Sequence, residues 1–252
     1  MTSRIAIAFL ATALGAWPAD WAKEADRAFD SARYQEAAAD YTRALAEDRG
    51  KSLHLRISLA TAYLELGDYR SAEATLRAIP APNLTELEKA EIWNARSALH
   101  LKLGRTPDAE TDLLQALNSA GQGELRATVL HNLAAVEMRS GRYQAALGHE
   151  SEAVGIYRKV LPADNGTLIR GWASLATVQF LMGQAWQAQA SMDLAIRAAE
   201  RHYGDASPLL ADLRRSDAVI LDKLKMHREA RQARARAEGA PTQAAFLSVP
   251  ER

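Results

Sequence analysis

Cysteine is missing from this sequence. Its absence excludes disulfides, iron–sulfur clusters, thiolate zinc sites, a catalytic thiol and a lipid-modified cysteine near the N-terminus. The chain also lacks a net charge, because 31 lysine and arginine residues balance 31 aspartate and glutamate residues. A balanced chain has no general electrostatic preference for nucleic acid, so we expect no nucleic-acid partner.

Long apolar runs are scarce too, and we expect no membrane span in the mature chain. A short run of twelve uncharged residues, from Ile5 to Ala16, follows the basic residue Arg4. A helix of that length spans about 18 Å, too short for a hydrocarbon core of about 30 Å. The pattern is typical of a secretory signal peptide over residues 1–19, with cleavage after Gly15 as the first choice.

This signal predicts a periplasmic or secreted protein, and the alanine-rich composition favours a bacterial one. Two alternatives stay open for the same segment. It could form the buried first helix of a cytoplasmic protein, or it could remain uncleaved as a membrane anchor.

A repeat runs through the rest of the chain. Its anchor positions are separated by 35, 37, 37, 42 and 42 residues, and they are Ala32, Gly67, Gly104, Gly141, Gly183 and Lys225. Five residues after each anchor stands an alanine: Ala37, Ala72, Ala109, Ala146, Ala188 and Ala230. Seven residues before each anchor stands another small residue: Ala25, Ala60, Ser97, Ala134, Ala176 and Ala218. Small residues in phase indicate helices that approach each other closely.

The same pattern predicts helix pairs, with the anchor closing the first helix of each pair. The six pairs are expected near 20–32 and 34–47, 52–66 and 69–79, 84–103 and 107–118, 123–140 and 143–161, 166–182 and 185–203, and 207–224 and 227–238. Residues 239–252 contain Gly239, Pro241 and Pro250 without periodicity, and we expect a flexible tail there.

These residues resemble the tetratricopeptide repeat (TPR). The second repeat carries Leu59-Ala60, Tyr63, Gly67-Asp68-Tyr69 and Ala72, and the fourth carries Leu130, Leu133-Ala134, Gly141-Arg142-Tyr143 and Ala146. The resemblance covers residues 20–238, and the two 42-residue intervals look like the kinesin-light-chain type. It implies an all-α protein, a right-handed α-solenoid of about six antiparallel helix pairs, that binds a protein or peptide on its concave face.

The first helix of each pair lines the concave face in that family. Seven residues on the predicted face in repeats three to five are candidate partner-binding residues: Asn94, His131, Asn132, Met138, Arg170, Thr177 and Phe180. The polar ones can donate hydrogen bonds to a peptide, and Met138 and Phe180 can accept apolar side chains. Alanines such as Ala98 and Ala135 leave space between them. The alternative is that the apolar residues of this face pack against the next helix pair.

Chemistry is harder to find in the sequence. His149-Glu150 begins like a zinc-protease motif, but Ala153 occupies the position of the second histidine. No set of acid, base and nucleophile converges, so we expect no enzyme, metal or cofactor. The favoured function is a protein-binding scaffold or adaptor, and the alternative is a self-associating structural subunit of an envelope complex. The arginine-rich last helix is either a solvated cap or a docking patch.

Overall fold

The computed structural model describes residues 20–80, 83–205 and 207–238. The predicted signal peptide over 1–19 and the predicted tail over 239–252 lie outside the described residues. Every regular element in the described part is an α-helix, so the predicted all-α fold is confirmed. None of the described helices combines the length and the apolar character that a membrane crossing requires. The chain divides into two compact units, Met1–Ile79 and Pro80–Arg252.

The first unit contains two helix pairs. Its helices are α1 (Trp21–Asp30), α2 (Tyr34–Glu47), α3 (Leu53–Leu66) and α4 (Tyr69–Arg77), and each packs against the next. Alanines fill the centre, with Ala25, Ala28 and Ala37 fully buried beside Tyr41.

The second unit contains four helix pairs. Its helices are α5 (Glu86–Lys102), α6 (Thr106–Ser119), α7 (Glu124–Arg139), α8 (Tyr143–Val160), α9 (Gly166–Leu181), α10 (Ala185–Tyr203), α11 (Pro208–Lys223) and α12 (His227–Ala237). Each helix packs against the next, and α7 also touches α5 and α9. All twelve described helices begin and end within two residues of the sequence prediction. The longest, α8 and α10, belong to the repeats with 42-residue spacing.

The six anchors share one backbone conformation. Each has a positive φ between 57° and 78°, including the two that are not glycine, Ala32 and Lys225. After each anchor, the next backbone N–H donates to the carbonyl five residues back, at 2.8 to 2.9 Å. This bond closes the last turn of the first helix and reverses the chain into the second. Glycine recurs at the anchor positions because it adopts a positive φ without a steric cost.

The columns of small residues lie where the helices of a pair meet. All six alanines five residues after an anchor are fully buried, and the small residues seven before an anchor are at most 1% exposed. Ala134 and Ala146, one from each column, belong to the same apolar cluster between α7, α8 and α9. A larger side chain at these positions would push the helices apart.

Two substitutions at anchor positions are expected to change the free energy of unfolding in opposite directions. We expect Gly141→Ala to lower the free energy of unfolding by about 1 kcal/mol, because an L-residue is strained at positive φ. A Cβ at Gly141 would contact nothing within 4 Å, so backbone strain alone sets this cost. We expect Lys225→Gly to raise the free energy of unfolding, because it removes the same strain. Denaturant unfolding of both variants measures the two signs, and equal signs would contradict the shared role of the anchors.

Candidate functional site

The seven candidate residues lie on three helices of the second unit. Asn94 is on α5; His131, Asn132 and Met138 are on α7; Arg170, Thr177 and Phe180 are on α9. These are the first helices of their pairs, and α7 contacts both of the others. The structure therefore brings the predicted set onto neighbouring helices, while their role in binding stays a prediction.

Two of the polar candidates bind each other. The side-chain amide of Asn132 donates to Oδ1 of Asn94 at 2.8 Å, which links α7 to α5. Each side chain is only partly buried, so the other half of each amide remains for a ligand. The pair joins residues from different repeats, 38 positions apart, which no local pattern in the sequence reveals.

His131 has a partner that the sequence analysis did not identify. Its Nδ1 lies 2.9 Å and 3.1 Å from the two carboxylate oxygens of Glu150, a fully buried residue on α8. Nε2 is left for a ligand, so the binding role of His131 stays a prediction. Burial opposes the charged imidazole, and the positive charge of Arg170 does too. The hydrogen bond and the charge of Glu150 outweigh both and raise the pKa of His131.

The raised pKa predicts a dependence of stability on pH. A histidine that binds its proton more tightly when folded stabilises the protein fully below its unfolded pKa of about 6.5. This contribution is lost as the pH rises through the folded pKa. We expect the difference in unfolding free energy between the native protein and His131→Gln to shrink as the pH rises above the unfolded pKa of about 6.5. Urea unfolding at several pH values measures it, and a constant difference would contradict the charged pair.

The apolar candidates are packed against neighbouring helices. Met138 contacts the cluster formed by Ala134, Ala146 and Val178, and Phe180 packs against the main core of the second unit. Thr177 donates its hydroxyl to the carbonyl of Ala173 at 2.9 Å, within its own helix. The alternative that the sequence left open, packing between helix pairs, therefore describes Met138 and Phe180, although both keep part of their surface exposed.

Arg170 differs from the others because it is exposed. It forms no ion pair with any described residue, and its charge is felt by His131 across the α7–α9 contact. Its guanidinium is therefore available on the same face as the Asn94–Asn132 pair.

A pocket of about 250 Å³ opens between α5 and α7. Its lining consists of Ala98, Leu101, Lys102, Ala135, Val136 and Arg139. The two alanines make the space, as the sequence analysis expected of these positions. Lys102 and Arg139 are additions that it missed. Each stands two residues before an anchor glycine, so comparing that column across the repeats would have revealed two basic residues at the same rim.

Comparison with known proteins places these features in a family. Two family models, both described as tetratricopeptide repeat, match residues 28–99 and 88–159. Together they cover more than half of the 252 residues. No curated protein matches the sequence.

Solved structures show the same fold at low sequence identity. BtubC (BKLC) from P. vanneervenii is 17% identical with a TM-score of 0.67, over 90% of this chain and 99% of that one. A thermophilic TPR protein from Thermus thermophilus is 18% identical with a TM-score of 0.62, over 80% and 97%. PilW, a type IV pilus biogenesis factor, is 18% identical with a TM-score of 0.62, over 85% and 89%. At such identities the likeness establishes the fold alone.

Proposed function

This chain belongs to the tetratricopeptide repeat family, and from that premise we propose that it is an adaptor that binds a protein partner on the face of α5, α7 and α9. The observation that supports this most is the pocket between α5 and α7, which has an apolar floor and a basic rim. A rigid apolar cavity beside a few polar groups is the usual form of an anchor site for a partner's side chain.

The lining residues favour one chemistry of ligand. Leu101 offers apolar surface, and Ala98 and Ala135 leave room for one side chain such as leucine or phenylalanine. Arg139, which is exposed at the rim, favours a negative charge next to that side chain. The proposed ligand is therefore a peptide segment with a large apolar residue beside aspartate, glutamate or a terminal carboxylate.

Neighbouring groups extend this surface along the same face. The amide pair of Asn94 and Asn132 and the exposed guanidinium of Arg170 can donate to backbone carbonyls or a further carboxylate. A peptide anchored in the pocket and running towards α9 would meet both.

Selection from a random peptide library displayed on phage tests the proposal without knowledge of the natural partner. The expected result is enrichment of sequences that place an apolar residue next to an acidic one. Enrichment of basic sequences, or the absence of any enrichment, would contradict the proposed peptide-binding site.

We also propose that the protein acts outside the cytoplasm of a bacterium, supported by the signal pattern of residues 1–19. The expected result is that intact mass spectrometry of the protein from fractionated cells shows loss of about the first 15 to 22 residues. A full-length chain recovered from the cytoplasm would rule this out.

A further inference from the structure

A second pocket lies on a different part of the second unit, between α10, α11 and α12. Its volume is about 290 Å³. Four carboxylates line it, from all three helices: Asp193, Glu200, Asp217 and Glu229. The remaining polar lining includes Gln189, Gln232 and the two arginines Arg214 and Arg236.

Two buried oxygen atoms in this pocket have no hydrogen-bond donor. Asp217 is only 8% exposed, and its Oδ1 has no partner among the described residues. The amide Oε1 of Gln189, facing it from α10, has none either. A buried acceptor without a donor is costly, and nearly all buried polar groups in proteins have a partner. The pocket therefore presents two acceptors that a ligand with N–H groups would satisfy.

Arg214, three residues before Asp217 on α11, does not supply those donors. Arg214 directs its guanidinium to Glu200 at 2.9 Å and to Asp205 at 2.8 Å, and it also donates to the backbone carbonyl of Arg236. Its charge is thus neutralised by Glu200 and Asp205. Asp193, which also lines the pocket, forms an exposed ion pair with Arg197 at 3.3 Å.

The protonation of Asp217 reflects the same surroundings. Burial raises its pKa to about 6, a side-chain hydrogen bond between Gln189 and the carboxylate partly offsets this rise, and the charge of Asp193 adds a smaller rise. Oδ1 of Asp217 and Oε1 of Gln189 are the atoms that stay without a donor. Glu229 and Arg236 face the pocket from α12. At neutral pH the ionised carboxylate of Asp217 forms no ion pair with any described residue, although Arg214 and Arg236 also line the pocket.

We propose that this pocket binds an organic cation with N–H donors, an ammonium or guanidinium group, between Asp217 and Gln189. Such a group carries the positive charge that Asp217 lacks and gives a donor to each of the two oxygens. Among the described residues, no three His, Asp or Glu side chains come close enough together to hold a metal ion. The volume is at the lower end for small-ligand sites, about 300 Å³ and upwards, and suits one such group.

Asp217→Asn is the matched variant for testing the site. It removes the charge, keeps the shape, and its amide can donate to Gln189, so it should fold at least as stably as the native protein. NMR titration with methylguanidinium chloride and with propylammonium chloride, at neutral pH, should give saturable shifts in α10 and α11. We expect Asp217→Asn to bind at least tenfold more weakly, and Gln189→Leu also to bind more weakly. Asp108→Asn, an exposed carboxylate on α6, should bind as the native protein does.

The same titration distinguishes two sources of the cation. Tighter binding of a short capped peptide with a central arginine than of methylguanidinium would mean that a partner's side chain enters the pocket. Equal affinities would indicate a free small amine. No saturable binding, or equal binding by Asp217→Asn, would overturn the proposal. A carboxyl carbon signal showing Asp217 still protonated at neutral pH would do so too, because a protonated Asp217 could donate to Gln189 itself.

Discussion

Ala146→Trp is expected to lower the free energy of unfolding of the second unit by about 3 kcal/mol, at the upper end of the usual cost of overpacking. Ala146 is fully buried beside Ala134 and Val178, where α8 approaches α7 and α9. An indole cannot enter this joint unless the helices separate, and separation also disturbs the packing of Met138. The effect is large because the helix backbones approach each other closely at Ala146, so the surrounding packing has little room to relax.

The neighbouring residue provides the control. Ala145 lies in the same helix but is exposed, so Ala145→Trp carries the same change in helix propensity without the overpacking. Its effect should stay within about 0.5 kcal/mol, as for most surface substitutions. Denaturant midpoints of the two variants, measured in parallel, decide the matter. Similar losses of stability would mean that the repeat register is wrong.

Filling the pocket between α5 and α7 is expected to weaken peptide binding by more than tenfold, or about 1.4 kcal/mol. Ala135→Trp would occupy the space between α5 and α7 that the proposed apolar anchor needs. Ala135 is only partly buried, so the indole can project into the pocket without separating helices. Isothermal titration with a library-selected peptide measures the loss, and Ala145→Trp serves again as the control.

Reversing the charge at the rim of the pocket tests the proposed preference for an acidic group in the peptide. Arg139→Glu should weaken the same peptide by more than tenfold, since it places like charges together. Arg158→Glu changes an exposed arginine on α8, away from the pocket, and should alter the affinity little. Full affinity in Ala135→Trp and Arg139→Glu, with both proteins folded, would place binding on another surface and favour the self-association hypothesis.

Arg170→Glu extends the test to α9. The sequence predicts that this variant too loses more than tenfold in affinity, because Arg170 can donate hydrogen bonds to a peptide backbone or carboxylate. In the structure its side chain is exposed. If only the changes at Ala135 and Arg139 matter, the ligand is confined to the α5–α7 pocket. Retained binding by Arg170→Glu would then contradict the part of the site predicted on α9.

The sequence by itself determined the helices, their pairing and the register. Those features come from local rules: a left-handed anchor such as Gly67 closes one helix, and a small residue such as Ala72 follows at a constant distance. Even Lys225, a poor residue for positive φ, could be assigned as an anchor because its neighbours keep the spacing. Local geometry repeats along the chain, so it is visible as periodicity.

Only the tertiary structure decided which polar groups meet. Glu150 hydrogen bonds with Nδ1 of His131, which is 19 residues away in sequence. Asn132 donates a hydrogen bond to Asn94, which is 38 residues away. Asp217 is buried on α11 near Gln189, and its Oδ1 has no donor among the described residues, which nothing in the repeat pattern indicates. Such contacts depend on the side-chain rotamers and on the distance between packed helices. Neither of these is periodic, and for that reason the chain's spacing predicts the scaffold but not its polar contacts.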